Sequence, residues 1–234
     1  MARPLFSLGA RLEICADMLT DCEVMADVGT DHALLPIWLI KSGKVKRAIV
    51  SDLRSGPLMT ARSNAAKYRV ENHLETRLSD GLSGYKSGEI QGIVIAGMGG
   101  SLILRIVGDA PWLSEGGVQL VLQPMSQPHI LREGLYAGGF EILEEKAVSD
   151  NSKLYSVMSV KYTGYTGGIS ALEKYMGKLE PMDTNAMLYA EKICSELEVK
   201  RLGLLSAGEN TEVHTLLETV EMIKEKYLKN LGCV

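Results

Sequence analysis

Residues 24–32, Val-Met-Ala-Asp-Val-Gly-Thr-Asp-His, constrain the fold more than any other stretch of this chain. Small and β-branched residues surround Asp27, as is typical of a strand buried on both faces of a parallel sheet. Gly29 allows a sharp turn and the close approach of a ligand, and Thr30 and Asp31 can cap the helix that follows. A corner of strand, glycine turn and helix N-terminus commonly binds a nucleotide, although a purely structural turn is the alternative.

The residues in this turn favour one class of nucleotide over another. The dinucleotide fingerprint requires three glycines, and here only Gly29 is present. Asp27 and Asp31 would repel a pyrophosphate, but they suit a ligand with positively charged groups, such as S-adenosylmethionine. This composition disfavours the alternative of an NAD-dependent oxidoreductase.

Strands and helices then alternate along the chain, which predicts a parallel sheet with helices on both faces. The predicted parallel strands cover 24–28, 47–52, 75–79, 92–96 and 118–122. Asp27, Asp52, Asp80 and the Gly97-Met98 pair all fall at the carboxyl ends of strands, where such sheets bind ligands. Asp52 follows the glycine turn by roughly 20 residues, the usual position of the acid that binds ribose hydroxyls.

The pattern changes in the second half of the chain. Strands at 140–146 and 153–160 have no helix between them and should pair antiparallel at one edge, which makes a seven-stranded, mostly parallel, Rossmann-like α/β sheet. After a linker rich in Gly and Thr, two helices with apolar stripes and a turn at 206–210 predict a coiled-coil-like helical hairpin. The predicted domains are residues 1–165 and 166–234.

Charge is distributed unevenly in this chain of 234 residues and net charge −4. Eight basic residues and one acidic residue lie between Lys41 and Arg69. We expect this segment to border the carboxyl ends of the first two strands, where it could bind a polyanion, and Lys41, Lys44, Arg54 and Arg62 are the predicted RNA contacts. Two alternatives are a solvated face and a non-catalytic RNA-binding module, but the latter would not need three acids at strand ends.

Several classes of protein are disfavoured by composition. The cysteines show no C-x-x-C pair and the histidines no metal-ligand spacing, so we expect no disulfide framework and no metal. No apolar run approaches the ~20 residues of a membrane span, and the N-terminus does not read as a signal peptide. We therefore expect a monomer in the cytoplasm, without membrane attachment. The four cysteines are Cys15, Cys22, Cys194 and Cys233.

Five short blocks resemble the bacterial tRNA (adenine-22-N1)-methyltransferase family. They are Asp-Val-Gly-Thr-Asp-His at 27–32, Ser-Asp-Gly-Leu at 79–82, Ile-Ala-Gly-Met-Gly-Gly at 95–100, Leu-Gln-Pro at 122–124 and Lys-Leu-Tyr at 153–155. The resemblance covers residues 7–162 and implies a class I S-adenosylmethionine fold with a C-terminal helical hairpin. It also implies methyl transfer to N1 of adenine 22, in the D-loop region of tRNA. Met125 departs from the Asn expected after Leu-Gln-Pro.

The resemblance also suggests roles for individual residues. The first turn would bind the methionine end of the cofactor, Asp52 the ribose, residues 80–82 the adenine, and residues 96–98 would lie where the methyl group meets the acceptor. Asp31 is the candidate catalytic carboxylate, because the methylated base becomes cationic. A different RNA or a small molecule is the alternative acceptor. The predicted cofactor site consists of Arg11, Asp27, Gly29, His32, Asp52, Leu53, Asp80, Gly81, Leu82, Ala96, Gly97 and Met98.

Overall fold

A seven-stranded sheet forms the centre of the computed structural model, which describes residues 6–207 and 211–229. The strand order is β3-β2-β1-β4-β5-β7-β6, with β1 to β5 parallel and the β6–β7 pair antiparallel to β5. The prediction of a mostly parallel sheet with an antiparallel edge pair is therefore confirmed. Strands β1 to β7 span Cys22–Val28, Val45–Asp52, Leu74–Leu78, Gly92–Gly99, Gln119–Ser126, Phe140–Asp150 and Lys153–Tyr162.

Eight α-helices accompany these strands in the described residues. Helices α1 to α8 span Ala10–Met18, Leu34–Ser42, Ser55–Tyr68, Gly100–Gly108, Pro128–Ala137, Ala171–Met176, Thr184–Ser206 and Thr211–Ile223, and a π-helical turn, Lys224–Leu228, follows α8. Helix α2 begins later than expected, and Asp31 does not cap it. Instead the Thr30 hydroxyl accepts a 3.0 Å hydrogen bond from the Ala33 amide, and Ala33 adopts a left-handed conformation.

The central strands are buried on both faces, as the apolar runs predict. Along β4, Ile93 and Ile95 point to the side covered by α4 and α5, whereas Val94 points to the side covered by α1 and α2. Because side chains alternate along a strand, each central strand contributes to both cores. The two layers of helices leave the carboxyl edge of the sheet as the place where strand ends and loops meet.

The predicted helical hairpin is present, and it packs on the antiparallel end of the sheet. The apolar stripes of α7 and α8, represented by Ile193 and Leu216, are buried against each other. Ala147 of β6 and Leu154 of β7 belong to the same cluster and join the hairpin to the sheet. Residues 208–210 of the predicted turn and Cys233 lie outside the described residues.

Two further findings concern the part of the chain described above. Within 6–207 and 211–229, no helix combines the length and the apolar character needed to cross a lipid bilayer. The same residues contain no cluster of three or more His, Cys, Asp or Glu side chains that could bind a metal ion.

Candidate active site

The first glycine turn folds across the end of the neighbouring strand. The amides of Gly29 and Thr30 both donate to the carbonyl of Ser51, at 2.8 and 3.1 Å. Gly29 has a φ of 76°, and a Cβ at this position would overlap the methyl group of Met98. Only glycine suits both conditions. The turn after β1 and the end of β4 are thus in contact, as the predicted site requires.

Asp27 is a buried carboxyl group at this edge, with 8% of its surface exposed. Burial raises its pKa from the ordinary 3.8 to about 6, and the nearby Thr30 hydroxyl offsets part of that increase. A group that titrates this close to neutrality is sensitive to a neighbouring charge. A cationic ligand would favour the ionised carboxylate and would be bound by it.

Asp52 ends β2 beside Asp27, since Asp27 and Val50 are register partners on the two strands. Its side chain is only 12% exposed, and its Oδ1 accepts a 2.8 Å hydrogen bond from the Arg54 amide. Leu53 and Leu78 flank it with side chains 65% and 66% exposed. In such an arrangement the carboxylate can accept hydrogen bonds from a sugar, while the two leucines pack against a flat ring attached to it. Leu78 was not predicted, although it directly precedes the Ser-Asp-Gly-Leu block.

The loop after β3 contains the three residues predicted to contact the adenine. Leu82 is buried in the core, with only 2% of its surface exposed. Gly81 has a φ of 55°, a left-handed turn that packs against Ile106. The Asp80 side chain is 56% exposed and lies 3.3 Å from Arg105 Nη2. Of the three predicted residues in this loop, Asp80 alone has a side chain available at the surface.

The end of β4 differs from its prediction. The strand does not stop at Ala96 but continues to Gly99, with register shifts on both sides of Met98. Gly97 adopts a φ of 83°, and its amide donates a 3.1 Å hydrogen bond to Gln123 Oε1. This irregular segment therefore has a fixed backbone and no bulky side chain at its turn.

Arg11 is not a solvated helix residue. Its Nη1 donates to Gln123 Oε1 at 2.5 Å and its Nε to Asp150 Oδ2 at 3.3 Å, while its guanidinium lies 5.7 Å from the centre of the Tyr155 ring. Gln123 is completely buried and also binds the Gly97 amide. Arg11 thus orders the floor of the candidate site through Gln123.

This network was missed in the sequence. The Leu-Gln-Pro and Lys-Leu-Tyr blocks were noticed only as part of the resemblance, and no role was assigned to Gln123, Tyr155 or Asp150. One local signal could have identified Gln123. A side-chain amide at the end of an apolar strand must find hydrogen-bond partners when it is buried.

Asp31 and His32 lie on the outer side of the turn. Their side chains are 81% and 54% exposed, and Asp31 Oδ2 is 3.0 Å from His32 Nε2. The His32 carbonyl accepts a hydrogen bond from Asn64 of α3. Neither residue is buried with Asp27, so any contact they make with a ligand would form at the rim.

Two of the four predicted RNA contacts lie on the face that includes this edge. Arg54 directly follows Asp52 and has a side chain 78% exposed. Arg62 lies further along α3, where its Nε donates a 2.7 Å hydrogen bond to Thr76 of β3. Among the four predicted RNA contacts, Arg54 is therefore the residue nearest to the candidate site.

Lys41 and Lys44, the other two predicted RNA contacts, lie at the opposite edge of the sheet, where the parallel strands begin. The expectation that the whole basic segment borders the carboxyl ends is therefore wrong. Helix α2 runs back from the end of β1, which places Lys41 and Lys44 near the start of β2. Lys44 Nζ donates to the carbonyls of Ala16 and Asp17 at the end of α1, at 2.6 and 3.0 Å. The physical reason is that two parallel strands are joined by a crossover, which returns the chain from the end of β1 to the start of β2.

A cavity of about 390 Å³ lies at the same edge as the candidate site. It separates the end of β5 and the start of β7 from helix α7, and Tyr155 is part of its wall. The sequence did not predict this cavity, because its walls come from segments far apart in the chain.

Comparisons with known proteins identify the family to which this chain belongs. A family model described as a methyltransferase domain matches residues 8–158. The tRNA (adenine(22)-N(1))-methyltransferase of Bacillus subtilis strain 168 is 34% identical over 151 residues, 64% of this chain and 63% of that protein. The aligned region thus spans less than two thirds of the length of that relative.

Solved structures resemble a larger part of the chain. The B. subtilis M1A22 tRNA methyltransferase TrmK has a TM-score of 0.81 and 26% identity, over 96% of this chain and 100% of that one. A Streptococcus pneumoniae candidate tRNA (m1A22) methyltransferase, solved with S-adenosyl-L-methionine, has a TM-score of 0.78 and 29% identity, over 93% and 98%. Since the matched region 8–158 covers well over half of the sequence and ends within β7, this chain belongs to the methyltransferase-domain family.

Proposed function

We propose that this chain transfers a methyl group from S-adenosylmethionine to N1 of adenine 22 in tRNA. One observation carries the proposal: Asp27 and Asp52 lie on adjacent strand ends next to the glycine-lined end of β4. Acids in this arrangement suit a cationic nucleoside rather than a pyrophosphate. The proposal also draws on the names of the B. subtilis relative and of its structural counterparts.

The residues at the edge fit this cofactor chemically. Asp27 is a buried carboxylate suited to a positively charged group, and Asp52 would accept hydrogen bonds from ribose hydroxyls. Leu53 and Leu78 offer apolar surface to a purine ring, beside the exposed side chain of Asp80. When bound, S-adenosylmethionine supplies a methyl group activated by its sulfonium. Ala96 and Met98 would line the place where that group meets the acceptor.

The chain has little proton chemistry to perform in such a reaction. N1 of adenine has an in-plane lone pair, so no proton must be removed before attack. Alignment of the reacting atoms can then supply most of the acceleration, up to about 7–11 kcal/mol. Arg11 and Gln123 contribute by fixing the main chain of Gly97, which keeps the floor of the site rigid. Asp31 remains the proposed carboxylate for the cationic product, with its effect dependent on the RNA covering it.

The experiment that tests this function uses the full chain, S-adenosylmethionine with a labelled methyl group, and unfractionated bacterial tRNA. We expect label in tRNA and a reverse-transcription stop at adenine 22. A transcript with guanine at position 22 should accept no label. Calorimetry should detect binding of S-adenosylmethionine and none of NAD. Methylation of another base, or no transfer to any tRNA, would disprove the proposal.

The structure separates the predicted RNA contacts into two groups, and a pair of charge reversals tests this. We expect Arg54→Glu to raise the Kd for tRNA by about tenfold or more, because it reverses a charge at the edge where the acceptor must arrive. Lys41→Glu should have a smaller effect, because Lys41 lies at the opposite edge. Filter binding at several salt concentrations measures both. Equal losses would indicate that tRNA covers both edges.

The cellular setting follows from the same proposal. We propose a monomer in the cytoplasm, where tRNA is modified. Cys15, Cys22 and Cys194 are free thiols, which is compatible with a reducing compartment. Sedimentation of the purified protein would measure its oligomeric state.

A further inference from the structure

The cavity between the sheet and helix α7 has no role in the site described so far. Its floor is formed by residues 124–129, from the end of β5 to the start of α5, and its wall by Tyr155 of β7, Tyr175 of α6 and residues of α7. Its volume of about 390 Å³ is within the range of small-molecule sites, which runs from about 300 to 1,000 Å³.

The register of the sheet places this cavity next to Met98, which would lie where the methyl group meets the acceptor. Met98 of β4 and Pro124 of β5 are direct partners, and so are Gly99 and Ser126. Neighbouring strands lie about 4.8 Å apart. The floor of the cavity is therefore one strand away from Met98, on the side away from Asp27 and Asp52, which are on β1 and β2.

The walls have the composition of a site for an aromatic ring. His129 and Tyr175 stack with ring centres 5.4 Å apart, and Tyr155 faces the cavity from β7. Burial lowers the pKa of His129 below its usual value, and Lys174, Arg132 and Lys200 lower it further, with Glu133 opposing them. The imidazole is therefore neutral at physiological pH and does not repel a base that becomes cationic.

Charged side chains are confined to the part of the wall formed by α7. Lys192, Glu196 and Lys200 have side chains 41%, 60% and 48% exposed. Lys192 donates to the Leu154 carbonyl and lies 3.9 Å from the Glu196 carboxylate, and Lys200 pairs with Glu212 of α8. An aromatic interior with cations at its rim matches the two parts of a nucleotide, because bases stack on aromatic rings and phosphates bind cations.

We propose that this cavity receives the target adenine, drawn out of the folded tRNA and stacked against the Tyr155, Tyr175 and His129 rings. The inference rests on the proposed function, because it assigns the acceptor base of that reaction. Extrusion of a base from its stack costs free energy, and aromatic contacts in the pocket can offset this cost. Aromatic faces also stabilise the positive charge of the methylated base. Helix α7 thereby forms one wall of the acceptor site.

The test fills the cavity from an exposed position. Glu196→Trp places a large ring in the cavity wall, and Ser195→Trp adds the same ring at an adjacent exposed position of α7 that does not line the cavity. We expect Glu196→Trp to lower kcat/KM for tRNA methylation by about tenfold or more, as expected from the loss of base stacking. Ser195→Trp should methylate at the parent rate. Calorimetry should give the same Kd for S-adenosylmethionine in all three proteins.

A second pair of variants tests stacking directly. Tyr175→Ala should lower kcat/KM by about 10- to 100-fold, whereas Tyr175→Phe should retain most of it, because the ring and not the hydroxyl is required. Thermal unfolding of each variant checks that the fold is retained. With 2-aminopurine at position 22, binding to the parent protein should change its fluorescence, and binding to Glu196→Trp should not.

The outcomes separate this inference from the function on which it rests. If the parent methylates adenine 22 while Glu196→Trp and Tyr175→Ala do so at the parent rate, the cavity is not the acceptor site and the function stands. If the parent transfers no methyl group to tRNA, both are overturned. A small molecule bound in the cavity that leaves tRNA methylation unchanged would also overturn the inference.

Discussion

Asp27→Asn is expected to make the protein more stable at pH 8 and, at the same time, to weaken its binding of S-adenosylmethionine. The folded-state pKa of Asp27 is about 6, compared with an ordinary 3.8, because the carboxyl group is buried. A raised pKa means that ionisation opposes folding. The cost is absent below pH 4, where the group is protonated in both states, grows between pH 4 and 6, and is complete above pH 6.

The expected size follows from the shift. About two pKa units correspond to about 3 kcal/mol, and we expect Asn to recover about 1–3 kcal/mol of unfolding free energy at pH 8. The gain should disappear near pH 3.5. Loss of the charge-assisted contact should raise the Kd for S-adenosylmethionine by about tenfold to a hundredfold, which corresponds to about 1.5–3 kcal/mol.

Urea unfolding at pH 8 and pH 3.5 measures the stability, and calorimetry at pH 8 measures the affinity. Asp80→Asn is the matched control for stability, because its side chain is more than half exposed and its replacement should change stability by less than about 0.5 kcal/mol. If Asp27→Asn is less stable than the parent at pH 8, contacts with the ionised carboxylate outweigh its desolvation.

Arg132→Met is expected to destabilise the protein by about 3–5 kcal/mol, because it leaves the buried carboxylate of Glu145 without its partner. The side chains of Arg132 and Glu145 are both fully buried, and Nη2 of Arg132 lies 2.7 Å from Glu145 Oε1. Arg132 Nη1 also donates to the carbonyls of Lys174 and Tyr175, at 2.9 and 2.7 Å. The pair therefore joins α5 and β6 to α6.

The buried Arg132–Glu145 pair also explains why residue 177 is a glycine, and its contacts extend to the helical hairpin. A Cβ at Gly177, which has a φ of 60°, would overlap the Glu145 carboxylate. The Tyr189 hydroxyl of α7 lies 3.5 Å from Arg132 Nη2. Deletion of residues 166–234 would expose this ion pair, so such a truncation would not isolate an intact sheet domain.

Equilibrium unfolding in urea measures the effect of Arg132→Met. The double variant Arg132→Met/Glu145→Leu should lose less than the single variant, because no unpaired buried charge remains. Lys174→Ala removes only an exposed ion pair with Glu133 and should cost less than about 1 kcal/mol. A loss below 1 kcal/mol in Arg132→Met would show that water reaches Glu145.

The sequence by itself determined the elements and their order, because these depend on local signals. Short runs of small and β-branched residues marked the strands, and two apolar stripes, one containing Ile193 and the other Val220, marked the helical hairpin. The acids that follow or end the strands, Asp27 and Asp52 among them, were recognisable because parallel strands bring their carboxyl ends to one edge. Such patterns need no knowledge of distant contacts.

Helix faces were less well determined. In the helix after β2, the sequence pattern assigns Met59, Ala66 and Val70 to the inner face. Val70 is buried, but Met59 and Ala66 are exposed, and Leu58 and Ala65 are buried instead. A one-residue rotation of a short helix of small residues changes its apolar pattern little. Packing against β2 and β3 selects the face that is buried.

Contacts between distant segments were decided only by the tertiary structure. Arg11 is joined to Gln123 and Asp150, which lie 112 and 139 positions along the chain. Lys44 lies away from the site because a crossover helix returns the chain to the opposite edge. The pKa of Asp27 and the cavity beside Met98 likewise depend on which groups surround a point in space. Folding brings these groups together, and no local pattern in the sequence records that proximity.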